Sequence, residues 1–201
     1  MKKLFVLIIS ALLVFTLSAC NKNNSKSNTV SVAELATKEN AMLTTTSDKS
    51  FVFDFNVDSE YKDVSVWIEK YESGKLVDDK ISHITSQIEE NGSIIFALPK
   101  TNESTKQLTF NIGISSNSST DSISGFDSNS NGLDKMSSVW GNIQEGNTSI
   151  EGETVLASIC YSNDKSGMSS LSSDFYKDVD GHMNALKKYD VVYLLKAEFI
   201  R

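Results

Sequence analysis

The chain has 201 residues, 39% of them hydrophobic, with a formal net charge of −7, two cysteines, two histidines and one proline. That length suits one domain or at most two small ones, and the acidic balance argues against a nucleic-acid partner held by a basic surface. Two histidines cannot build a His₃ zinc site, and two cysteines cannot build a four-thiolate one.

The N-terminus opens Met1-Lys2-Lys3 and then runs apolar from Leu4 to Ala19, broken only by Ser10, Thr16 and Ser18. A short basic start, an apolar stretch and small residues at its end mark an export signal. The stretch falls short of the roughly 20 residues that a membrane-spanning helix needs. It closes Leu17-Ser18-Ala19-Cys20, which resembles the lipobox of bacterial lipoproteins. That resemblance implies a diacylglycerol on the Cys20 thiol and cleavage between Ala19 and Cys20, with residues 1–19 as the signal peptide. It places the protein on the outer face of the cytoplasmic membrane, lipid-anchored, like small lipoproteins of the Gram-positive type. Residues 20–30 are then the lipidated cysteine and a flexible tether, since Asn21 to Thr29 contains no apolar residue.

Loss of residues 1–19 removes Lys2 and Lys3 and no acid, leaving 17 basic and 26 acidic side chains, a net −9. Anionic head groups repel such a surface, so the membrane contact is the lipid on Cys20. With Cys20 acylated, Cys160 has no disulfide partner in the chain. Its neighbours from Val155 to Tyr161 are mostly apolar, which suits a buried, inert thiol.

From Ser50 the pattern has a period of two. Phe51, Phe53, Phe55 and Val57 alternate with Val52, Asp54 and Asn56, and Leu108, Phe110, Ile112 and Ile114 alternate with Gln107, Thr109, Asn111 and Gly113. Such alternation predicts strands with one face in a core and one in water. Val64 to Tyr71 is a third strand, with Ser73-Gly74 as a tight turn into Lys75-Leu76-Val77. Ile94 to Leu98, apolar throughout, reads as a more buried strand. Between Ser115 and Ser138 serine dominates, and the composition predicts a loop over 115–138, dividing the domain into parts 45–114 and 139–201. Strands resume near Ser149–Ile150 and Thr154–Tyr161. Phe175, Val179, Met183 and Leu186 trace one helical stripe over about 174–189, with Gly181 as a point where it can break. Val191 to Ile200 is a final strand, apolar at most positions on both faces and hence central. The fold class expected is mainly β (α+β), an antiparallel β-sandwich-like domain over residues 31–201 with one C-terminal helix before that strand.

Three constellations carry possible chemistry. Asp127, Asn129 and Asn131, followed by Gly132, resemble the first half of a calcium loop. The match fails at the twelfth position, Ser138, where the family has glutamate, so a solvated loop is the expected state. Trp67, Glu69 and Tyr71 share one parity of their strand and would form a stacking platform for a sugar or peptide, unless the C-terminal helix covers them. Ser59 to Lys62 and Ser162 to Lys165 both read S-x-x-K, without the partner motifs of penicillin-binding enzymes. His83 and His182 lack a triad partner, and Asp178 and Asp180 point apart on a regular helix.

The function expected is a non-catalytic binding or interaction module at the cell envelope, with an envelope protein, a peptide or a cell-wall fragment as partner and no cofactor. The alternatives are a cell-envelope hydrolase with an unrecognised site, or a sequestering or immunity lipoprotein for cationic peptides. A shallow face displaying Trp67 and Tyr71 favours the first, whereas an acidic groove favours capture of cationic peptides.

Overall fold

A computed structural model describes residues 28–100, 107–128, 130, 132–144, 146, 148–164 and 167–201. Cys20, Ala19, Asn129 and Asn131 lie outside the described residues. The order of elements is β1 (Thr29–Val32), α1 (Thr37–Thr46), β2 (Ser47–Asn56), β3 (Asp63–Glu72), β4 (Lys75–Gln87), β5 (Asn91–Pro99), β6 (Leu108–Ser116), β7 (Ser119–Asp127), β8 (Ser137–Asn142), β9 (Thr148–Ser149), β10 (Glu153–Ser162), α2 (Ser173–Lys177), α3 (Val179–His182) and β11 (Val191–Ile200). Short 3₁₀ turns cover Leu133–Lys135 and Met183–Lys188.

The strands form two antiparallel sheets, ordered β7-β6-β5-β2-β1-β9 and β4-β3-β11-β10-β8. Their facing sides make a sandwich, as the alternation predicts. Phe51, Phe53 and Phe55 point inward from β2 and are buried, while Asp54 between them is exposed. A file of rings crosses the core: Phe51 to Phe96 at 6.1 Å, Phe96 to Phe110 at 6.0 Å, and Phe110 to Tyr193 of the other sheet at 5.0 Å between centroids. Burial of rings of this size is the main apolar contribution to such a core. β11 runs between β3 and β10, paired over its full length with β3 from Val191↔Glu72 to Ile200↔Asp63. The β3–β4 hairpin turns at Ser73-Gly74, both with positive φ (49° and 77°), the conformation that matches the strands' twist.

The loop expected over 115–138 is instead largely strand. β6 continues to Ser116, Asn117-Ser118 turn with φ of 46° and 62°, and β7 pairs with β6 from Ser116↔Ser119 to Leu108↔Asp127. The physical reason is position. β7 is an outer strand whose order comes from the backbone ladder and from lying against β4, so its side chains can stay polar. Hydroxyls add cross-strand bonds, with Ser124 donating to Asn111 at 2.7 Å and Thr120 to Ser115 at 3.1 Å. Against β4, Gly125 leaves room for Ser82: a Cβ at 125 would lie 1.9 Å from Ser82 Oγ.

Nor does this stretch divide the domain. β8, β10 and β11 complete the sheet begun by β3 and β4, and β9 pairs with β1 in the other. β1 also starts at Thr29, so the tether expected through residue 30 yields its last two residues to the sheet. The single helix expected over 174–189 is interrupted as well. Asp178 takes a non-helical conformation (φ −144°, ψ 82°) between α2 and α3. Its side chain accepts a hydrogen bond from the Gly181 N–H at 3.0 Å, capping α3. The break is thus at the capping aspartate rather than at Gly181. α1, which no periodicity announces, lies on the surface with no buried residue.

Candidate functional site

The outward face of β3 carries Trp67, Glu69 and Tyr71, as its parity predicts, and β11 places Lys196 opposite Trp67. These side chains meet. Glu69 accepts hydrogen bonds from Tyr71 Oη at 2.6 Å and from Lys196 Nζ at 3.0 Å, and the Trp67 Nε1–H lies 3.5 Å from it. Lys196 Nζ also bonds Glu153 of β10. The expected stacking platform is not formed, because Trp67 and Tyr71 are only 4% and 7% exposed. Lys80 and Lys196 each lie within 6.0 Å of the Trp67 ring centre and His83 meets its edge. Large rings beside aliphatic stems are covered this way whenever long charged side chains can keep their heads wet.

The electrostatics follow from this enclosure. Burial first, then the bond to Glu69 and the charges of Glu69, Glu153 and Asp180, raise the pKa of Tyr71, so its hydroxyl stays a donor. Burial opposes the charge on Lys196, but the bonds and charges of Glu153 and Glu69 outweigh it and its pKa rises. A group so held is a fixed ammonium, not a base.

Beside this cluster, a cleft of about 630 Å³ opens between β10 and the α2–α3 segment. Its walls carry Glu151, Glu153, Asp178 and Asp180 against Lys177 and Lys196. Asp178 and Asp180 would diverge on a regular helix, yet both reach this cleft because the chain breaks at Asp178. α2 is seated by Phe175, fully buried, and by Tyr176, whose hydroxyl lies 2.7 Å from Ser158 Oγ on β10. Sequence reading missed Glu151, Glu153 and Lys196. Lys196 had a signal, the only cation in a strand that is apolar except for it and Glu198, whereas the two glutamates had none.

The other sequence candidates are dispersed. Asp127, offered as a calcium ligand, points into the core, where it accepts from Tyr193 Oη at 2.5 Å and pairs with Lys70 Nζ at 2.7 Å. Among the described residues no group of three His, Cys, Asp or Glu side chains is placed to hold a metal ion. Lys62 Nζ bonds the Ser59 carbonyl at 2.6 Å, so that S-x-x-K is a surface turn. Ser162 is buried, and Lys165 lies outside the described residues. His182 Nδ1 contacts the Asp178 carbonyl oxygen at 2.7 Å within α3's own turn. Cys160 is fully buried, and burial pushes its thiol up to about 12. Among the described residues no helix is long and apolar enough to cross a membrane.

No curated relative and no solved structure matches the chain significantly. The model of the YgaN domain matches residues 29–199, from the first residue of β1 to the next-to-last of β11, and the chain belongs to that family.

Proposed function

We propose that the protein is a lipid-anchored, non-catalytic binding module at the outer face of the cytoplasmic membrane, and that it takes a cationic group, such as a lysine- or arginine-bearing peptide, in the cleft beside β10. The observation that carries this reading is the charge of the cleft. Four carboxylates face two ammonium groups, and one of these, Lys196, is already bonded by Glu69 and Glu153. A site of that balance attracts a cation, and because Glu153 and Asp178 are more than half exposed the attraction is screened by salt. The buried Glu69–Tyr71–Trp67 cluster serves as the fixed floor behind Lys196.

Titration of the chain with oligolysine tests it. Binding is expected at low salt, weakening as ionic strength rises and weakening further in the Glu151→Gln/Asp180→Asn variant. Binding indifferent to either change refutes the cleft as the site. The anchor rests on the Leu17-Ser18-Ala19-Cys20 motif. It predicts that the Cys20→Ser chain leaves the detergent phase, and a variant that stays there refutes it.

A further inference from the structure

The outer face of the second sheet is closed by its own side chains, whereas that of the first is open. Register sets the side chains of that open face in rows across the strands. Ser31 of β1, Asp54 of β2, Ser93 of β5 and Ser115 of β6 stand opposite one another in one row. Thr29, Asn56 and Asn91 form the next. The rows lie about 7 Å apart, and the first crosses four strands, about 14 Å. A groove of about 610 Å³ runs along both, a volume within the range of small-ligand sites. On the far side of the first row come Val52, Ile95 and Gly113, an apolar strip whose two side chains are half-buried.

The groove is hydroxyl-rich and nearly neutral. Asp54 is the only charged side chain in these rows, although charged residues make up 22% of the chain. Its Oδ1 accepts from Ser93 Oγ at 2.7 Å, and among the described residues its second oxygen has no partner. Asn56 Nδ2 donates to Asn91 Oδ1, which leaves the Asn56 carbonyl oxygen as an acceptor and the Asn91 amide nitrogen as a donor. This set excludes several ligand classes. No cation lies in the rows to balance a phosphate or carboxylate, and a single carboxylate does not hold a metal ion. β2 and β5 are paired on both sides, so no backbone edge is open to a peptide strand. Sugar rings fit all of it. Each sugar hydroxyl both donates and accepts, as the carboxylate and the amide pair require, and the C–H face of a ring can cover the Val52–Ile95 strip.

We propose that this groove binds a neutral glycan chain laid across β1, β2, β5 and β6. Asp54 and the Asn56–Asn91 amide pair are its hydroxyl-binding groups, and Ser31 and Thr29 add hydroxyls at one end. Neutrality is what selects this occupant. A chain of net charge −7 repels acidic polymers, and it draws basic ones to its many carboxylates rather than to a face with one. An uncharged polymer is indifferent to that field and is held by hydrogen bonds alone. The groove shares no lining residue with the cleft beside β10, so the two sites stand or fall separately.

Titration of the full chain with chitohexaose and with maltohexaose, followed by calorimetry and by amide NMR shifts, tests this. Binding is expected with a Kd that is the same at low and high salt, because no ion pair forms. Without any variant, the shifts should fall on Ser31, Asp54, Asn56, Asn91 and Ser93. Asp54→Ala and Asn91→Ala, both at exposed positions, should each weaken binding about tenfold or more with unchanged circular dichroism. Glu151→Gln/Asp180→Asn should leave it unaltered. Binding of chitohexaose alone assigns the site to acetamido-sugar chains, binding of maltohexaose alone to glucans, and binding of both to the pyranose ring they share. The proposal is overturned if neither oligomer binds at about 10 mM, or if affinity falls as salt rises. Shifts confined to residues outside the groove, or wild-type affinity in both alanine variants, overturn it too.

Discussion

Replacing Asp127 with asparagine tests the reading of the core most sharply. Asp127 and Lys70 are 5% and 3% exposed, their charged atoms are 2.7 Å apart, and Tyr193 donates to the same carboxylate oxygen. The pair links the sheets, since Asp127 ends β7 and Lys70 lies on β3. Burial opposes the charge on Lys70, but the bonds and charges of Asp127 and Glu72 outweigh it and raise its pKa. Asp127→Asn keeps the shape and removes the charge, stranding a buried ammonium. Breaking one side of such a pair costs about 3–5 kcal/mol. Glu72, 3.0 Å from Lys70 and half exposed, remains as a partner, which places the expected cost near the lower end, about 3 kcal/mol. For a domain of this size that is a fall in Tm of about 6–12 °C. Urea unfolding followed by tyrosine and tryptophan fluorescence measures it. The Lys70→Met/Asp127→Leu double variant should be less destabilised than Asp127→Asn alone, because it leaves no charge unpaired. A single-variant cost below about 1 kcal/mol, or a double variant worse than the single, refutes a buried inter-sheet ion pair.

Two further expectations concern other parts of the core. Cys160 has its thiol raised from 9.0 to about 12 in the fold, so the unfolded chain loses that proton first and stability falls as pH rises from about 9 to about 12. The slope is absent below that window and flattened in Cys160→Ala, while iodoacetamide at neutral pH should label Cys160 only in denaturant; labelling of the native protein at a free-thiol rate contradicts its burial. At the β4–β7 contact, Ser82 has φ of 54° and its buried hydroxyl finds no partner among the described residues. Ser82→Gly should therefore stabilise by about 1 kcal/mol. Gly125→Ala should destabilise strongly alone and mildly beside Ser82→Gly, and equal costs in the two backgrounds, read from thermal melts, contradict the Ser82–Gly125 contact.

The strands with one face inward were legible because burial writes its period into the residues. Phe51, Phe53 and Phe55, or Ile112 and Ile114, cannot alternate with polar side chains for another reason. The turn at Ser73-Gly74 was legible for its chemistry. β7 was not, because an outer strand with polar side chains differs from a loop only in its backbone partners, which composition does not record. Asp127 illustrates the same limit: spacing grouped it with Asn129 and Asn131, whereas its charge is spent on Lys70, distant in sequence. The Trp67–Glu69–Tyr71 face was correctly grouped by parity but read as open. What covers it, Lys80, His83 and Lys196, comes from other strands. The cleft depends on the break at Asp178, which a regular helical stripe hides.

The place of β11 governs how the fold can be reached. β3 and β10 have no ladder between them and are joined only through residues 191–200, which pair with both. Synthesis therefore delivers the hairpin of β3 and β4 long before the strand that joins it to β10. Until then the faces bearing Val66, Ile68 and Ile159 have no finished sheet to complete them. Closing such distant pairings is slow, and the half-built sheet exposes apolar edges for that whole interval. A chain stalled or cut before residue 191 thus leaves the β3–β4 pair and the β8–β10 pair unjoined, with apolar surface open to aggregation.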